Sequence, residues 1–152
     1  MSDLRDLYQD VILDHSRSPR NRGRLENANR KAEGYNPLCG DRFTIYLLVE
    51  NGVVRDVRFE GTGCAIAVAS ASLMTEELIG KSETEAEARF KRFHALLTGD
   101  PSSREGRGDS ELGKLAVFSG VREFPVRVKC ATLPWHAFEA ALRERNEPVT
   151  TE

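Results

Sequence analysis

No stretch of this chain is continuously apolar over the roughly 20 residues a membrane helix requires, and from Asp10 to Asp14 apolar and acidic residues already mix. No membrane association is expected. Met1 to Asp14 carries several charges and lacks both the apolar core and the small-residue cleavage site of a signal peptide, so the expected location is cytoplasmic. Cysteine is scarce, with three in 152 residues. Three cannot all pair within one chain and a reducing compartment disfavours disulfides, which leaves free thiols, metal ligands or nucleophiles. Internal repeats are absent, and the length suits one hydrophobic core rather than two. We expect one domain over residues 1–145 and a frayed tail over residues 146–152. The net charge is small, -2, and the one basic cluster is Arg17, Arg20, Arg22, Arg24 and Arg30. No aromatic residue interleaves it and it matches no nucleic-acid motif. It reads as a solvated loop or a docking surface for an acidic partner, not as a nucleic-acid contact.

Leu4, Leu7, Tyr8 and Val11 recur at helical spacing, which predicts a helix from Asp3 to about His15, ended by Ser18-Pro19. Phe43, Ile45, Leu47 and Val49 alternate with Thr44, Tyr46 and Leu48. A second run, Val53 to Phe59, follows Asn51-Gly52, so the pair predicts a β-hairpin. Lys31 to Tyr35 is a short, polar candidate for a third strand. Small and apolar residues from Cys64 to Leu78 predict a buried helix stopped by Gly80. Ser82 with Glu85 is a capping-box pattern opening a helix whose inner face is Ala86, Phe90, Phe93 and Leu97. An exposed loop is expected from Asp100 to Ser110, then a short helix from Glu111 to Phe118 and a last helix from about Arg127 to Arg143. Pro134 has no N–H for the carbonyl of Cys130, so that last helix is expected to bend or start late.

The chemistry-bearing residues lie in separate segments. Cys39-Gly40-Asp41 sets a thiol and a carboxylate two residues apart around a glycine that permits a tight backbone path. Cys64 follows Gly-Thr-Gly and opens a helix, whose N-terminal partial charge favours the thiolate. Cys130 lies near the start of the last helix. Each cysteine alone reads more readily as a small buried hydrophobe than as a ligand. Together the residues leave two alternatives, packed thiols or a shared ion site of Cys39, Asp41, Cys64 and Cys130; sulfur with one oxygen would suit zinc or iron rather than magnesium or calcium. His15 and His94 are expected to be exposed, and His136 to approach the cysteines only if the helix is distorted.

Four segments carry a resemblance: Asp14-His-Ser-Arg-Ser-Pro-Arg-Asn-Arg-Gly23, Asn36-Pro-Leu-Cys39-Gly-Asp41, Phe59-Glu-Gly-Thr-Gly-Cys64-Ala-Ile-Ala-Val-Ala-Ser-Ala-Ser72, and Arg127-Val-Lys-Cys130-Ala-Thr-Leu-Pro-Trp135. Across nearly its whole length the chain resembles the SufU branch of the family that also contains IscU and the N-terminal part of NifU. IscU-like members usually have histidine directly before the third cysteine; here Lys129 stands there, a donor with no lone pair for a metal. Alanines after Cys64 depart from the serines frequent in related proteins. The resemblance implies an α+β fold with a three-stranded antiparallel sheet covered by helices and a metal site at one exposed end. It implies zinc held by Cys39, Asp41, Cys64 and Cys130, and a zinc-dependent sulfurtransferase role. In that role Cys39 accepts persulfide sulfur from a cysteine desulfurase, freed when the partner offers a replacement ligand, and the sulfur passes to a SufBCD-like cluster-building complex. The alternative it implies is a non-catalytic scaffold holding iron or a [2Fe-2S] cluster.

Overall fold

A computed structural model describes residues 3–37, 40–98, 115, 117, 118, 121, 124–144, 149 and 150. The element order is α1 (Asp3–Arg17), β1 (Arg30–Asn36), β2 (Asp41–Glu50), β3 (Val53–Thr62), α2 (Ala65–Leu78), α3 (Glu83–Thr98), α4 (Pro125–Leu142) and β4 (Val149–Thr150). Asn51 and Gly52 have φ of 53° and 74°, the left-handed pair that a two-residue hairpin turn needs, and Glu50 pairs with Val53 across them. β1 joins the other edge of β2 antiparallel, which completes the three expected strands. Although β1 is polar, Ala32, Gly34 and Asn36 alternate inward, so a single buried face outweighs its weak propensity. Residues 149 and 150, in the stretch expected to fray, instead add a short parallel strand beside Gly34 and Tyr35.

Phe43, Ile45, Leu47 and Val49 form the inner face of β2 as their alternation predicts. On β3 the buried residues are Val54, Val57 and Phe59, an uneven spacing that a bulge explains. Leu48 pairs with Asp56 and Val49 with Val54, leaving Arg55 as the extra residue, so the inward face is kept despite the break in period.

The helices cover this face. α2 is buried almost all round because its Ala and Ser residues let α1 and α4 approach closely. Ser82 Oγ accepts the Glu85 N–H at 3.1 Å, the cap its pattern predicts for α3. α4 starts at Pro125, earlier than expected, because proline suits a first helical position. It also runs through Pro134. The lost hydrogen bond at Cys130 is offset by the burial of Leu133, Trp135, Ala137 and Phe138 around it. The expected loop from 100 to 110 lies outside the described residues, as does most of the short helix; Leu115, Val117 and Phe118 are described and buried. Among the described residues, no helix is long and apolar enough to cross a membrane.

Candidate metal centre

The site is built where the ends of β2 and β3 meet α2 and α4. Asn36 closes β1 and pairs with Asp41, the first residue of β2, so residues 37–40 form the connection. Gly40, at φ 77°, donates its N–H to the Asn36 carbonyl at 2.8 Å. Cys39 lies outside the described residues. Asp41 takes an inward position on the same face as Phe43 and is buried. Cys64 is the N-cap of α2, with extended backbone (φ -69°, ψ 168°) and an exposed side chain. Its N–H donates to Asp41 Oδ1 at 3.0 Å, while Sγ lies 3.9 Å from Asp41 Oδ2. Cys130 is buried, and because α4 begins at Pro125 it sits inside the helix rather than at its edge.

Asp41, Cys64 and Cys130 thus converge, each offering a ligand atom, all within 4.8 Å of one another. Three of the four expected ligands are therefore together in space. Burial pushes the Cys130 thiol well above its usual range, and hydrogen bonding with Asp41 and Cys64 adds to this. Without an ion it is a protonated thiol at neutral pH. An ion binding there must displace that proton, so affinity rises with pH.

The histidines lie elsewhere. His136 packs edge-on against Phe90 and His94, with ring centroids 5.4 and 5.3 Å away; burial, then His94, lowers its pKa. His94 is half-buried rather than exposed. His15, also expected to be exposed, is buried: Nδ1 lies 2.6 Å from Ser72 Oγ, and Nε2 is 3.8 Å from Glu76. The reason is tertiary, since α1 docks on a small-residue stretch of α2 that leaves room for the imidazole. Ser72 Oγ also accepts the Arg20 N–H at 2.8 Å, and Asn21 Nδ2 donates to Thr75 Oγ1 at 2.9 Å.

The basic segment is tied into the fold in the same way. Arg20 bonds Asp14, Arg22 donates to the Gly61 carbonyl at 2.9 Å, Arg24 bonds Tyr46, and Arg30 reaches both Glu83 and the Leu142 carbonyl. These arginines act largely as clamps between the segment and the sheet and helices. Two residues the sequence did not single out shape the site. A Cβ on Gly61 (φ 131°) would lie 2.1 Å from the Arg42 carbonyl oxygen, and one on Gly63 would lie 3.0 Å from Asp41 Oδ1. The Gly-Thr-Gly run before Cys64 was the available signal, since repeated glycine marks close backbone approach.

A helix-covered, mainly antiparallel sheet that brings a carboxylate and two thiols to one point defines a small α+β protein with a candidate metal site. The chain belongs to the NifU-like N-terminal domain family, whose model matches residues 7–131. It is 38% identical over 142 residues to the iron-sulfur cluster assembly scaffold protein IscU of Thermotoga maritima, covering 93% of this chain and 96% of that one. It is 40% identical over 138 residues to the zinc-dependent sulfurtransferase SufU of Bacillus subtilis, covering 91% and 90%. The crystal structure of a putative SUF-system scaffold from Fervidobacterium islandicum superposes with a TM-score of 0.78 at 38% identity, over 88% of this chain and 94% of that one.

Substitutions separate the proposed ligands from their neighbour. Asp41→Ala should stay folded, because the Cys64 N–H it strands is at a partly solvated helix end, while zinc affinity falls by about tenfold or more. Lys129→Ala should leave metal content at the wild-type level. Chemical unfolding and metal analysis of both variants check this; an unfolded Asp41→Ala protein, or a metal-free Lys129→Ala protein, contradicts it.

Proposed function

We propose that the protein is a sulfur carrier of iron-sulfur cluster assembly, a zinc-dependent acceptor of persulfide sulfur from a cysteine desulfurase. The observation that carries this reading is the convergence of Asp41, Cys64 and Cys130 beside the connection that contains Cys39. The donor set fits zinc. A tetrahedral ion with sulfur at about 2.3 Å needs ligand atoms roughly 4 Å apart, a small contraction from the spacing present. Bound there, zinc would keep the thiolates ionised at neutral pH. Cys64, Cys130 and Asp41 are the holding residues and Cys39 the fourth, exchangeable one. Cys39 sits in a short connection, whereas Cys64 caps α2 and Cys130 is packed within α4.

In the transfer, the Cys39 thiolate attacks the outer sulfur of the desulfurase persulfide. The S–S bond breaks, the desulfurase cysteine leaves as a thiolate, and Cys39 carries the persulfide, with no net oxidation or reduction. A SufBCD-like cluster-building complex is the proposed recipient. The scaffold reading uses the same ligands for a [2Fe-2S] cluster, and the IscU name of the Thermotoga relative favours it. Lys129 favours the sulfurtransferase. Metal analysis, a visible spectrum and a sulfide-release assay with the matching desulfurase decide between them. The carrier should be colourless, contain about one zinc per chain and accelerate the desulfurase; cluster absorbance without acceleration would leave the scaffold reading in its place.

A further inference from the structure

The Asp41 carboxylate is buried, and its two oxygens face different groups. Oδ1 accepts the Cys64 N–H at 3.0 Å, whereas Oδ2 lies on the side of the thiols, 3.9 Å from Cys64 Sγ. The space that allows this is over Gly63. A Cβ there would lie 2.9 Å from Phe43 Cζ, closer than real Cβ atoms come to a neighbour, and 3.0 Å from both Phe43 Cε2 and Asp41 Oδ1, a tight contact from which the carboxylate must give by a few tenths of an ångström. Phe43 cannot easily yield, since it is fully buried and packs against Phe59 with ring centroids 6.0 Å apart. Gly63 does not have a positive φ, so any side chain could adopt its backbone; the requirement for glycine is one of space.

We propose that Gly63 is a positioning residue of the ion site: the volume of its missing Cβ seats the Asp41 carboxylate against the Cys64 N–H, so that backbone holds Oδ1 and Oδ2 alone is presented to an ion. A carboxylate held this way offers one oxygen in one direction, and its aim is tied to Cys64 at the α2 N-terminus rather than to the connection that carries Cys39. The three described donors then keep their arrangement when Cys39 engages a partner. The ion-binding part deepens the functional reading above and rests on it; the carboxylate–amide clamp does not.

The clamp is tested first in the full-length protein without metal, by hydrogen exchange of the Cys64 amide. Wild type and Asp41→Asn, whose side-chain carbonyl can accept the same bond, should both protect it, while Asp41→Ala should exchange about tenfold faster or more. Equal exchange in all three overturns the clamp. Zinc affinity is then measured by competition with a chromophoric chelator. Gly63→Ala should weaken binding about 10- to 100-fold in the wild-type background, and by no more than about twofold in the Asp41→Ala background. Equal weakening in both backgrounds means that Gly63 acts without the carboxylate and overturns the proposal. Should Gly63→Ala fail to fold, the Phe43→Leu and Gly63→Ala pair relieves the ring contact but keeps the carboxylate contact, and the same comparison is made against Phe43→Leu. Coupled affinities in a protein that transfers no sulfur would support the positioning role and count against the functional reading alone.

Discussion

Cys39→Ser should abolish persulfide transfer, with no measurable acceleration of the desulfurase, while the variant remains folded. A serine hydroxyl is not ionised at neutral pH and does not attack a persulfide sulfur at a useful rate. The fold should persist because the Asn36–Asp41 pairing, the Gly40 N–H bond to Asn36 and the Asp41 bond to the Cys64 amide do not involve the Cys39 side chain. In the wild type, mass spectrometry after incubation with desulfurase and cysteine should find the added sulfur, about 32 Da, on Cys39. Cys64 is the alternative to exclude, since its side chain is exposed. Added sulfur on Cys64 or Cys130, or undiminished acceleration by Cys39→Ser, would overturn the assignment of the acceptor while leaving the metal centre standing.

Trp135→Ala should cost about 4 kcal/mol of stability, the largest effect expected of a substitution outside the site. Its ring is fully buried and stacks on Phe93 at a centroid distance of 4.6 Å and an interplanar angle of 21°, with Phe90 at 6.5 Å. Its Nε1–H donates to Ser70 Oγ at 3.1 Å, and Ser70 donates in turn to the Ala131 carbonyl at 2.5 Å. Truncation therefore opens a cavity between α3 and α4 and removes one member of a buried chain of hydrogen bonds that links α2 to α4 beside Cys130. Since a domain of this size is stable by only about 5–15 kcal/mol, the variant should unfold at much lower denaturant than wild type. Trp135→Phe, which keeps most of the packing and loses the N–H, should cost about 1–2 kcal/mol. Urea unfolding of the metal-free proteins checks both; a loss below about 1 kcal/mol for Trp135→Ala would contradict this account of the core.

The hairpin turn at Asn51-Gly52, the inward face of β2, the Ser82 cap and the segment-by-segment order of elements were legible because each is set by neighbours in sequence. The types of the candidate site residues were legible too, through the motifs around Cys39, Asp41, Cys64 and Cys130. α4 starts two residues before the expected Arg127 for a local reason: Pro125 is well placed to open a helix, and the interior Pro134 does not delay its start. The burial of His15, the Arg20 N–H bond to Ser72, the side-chain bonds of Arg22, Arg24 and Arg30, and the short β4 strand were not legible, because each depends on a partner distant in sequence.

By itself the sequence determined which side chains can ligate an ion and which faces of each element are apolar, since these follow from residue type and from periods of 2 and 3.6. Only the tertiary structure decided that the Asp41 carboxylate meets the Cys64 amide over the empty space at Gly63, with Cys130 brought alongside from α4. Periodicity says that a face must be covered but not by what. The meeting of β2, β3, α2 and α4 at one point is a consequence of how their side chains fill a common core, which no local pattern contains.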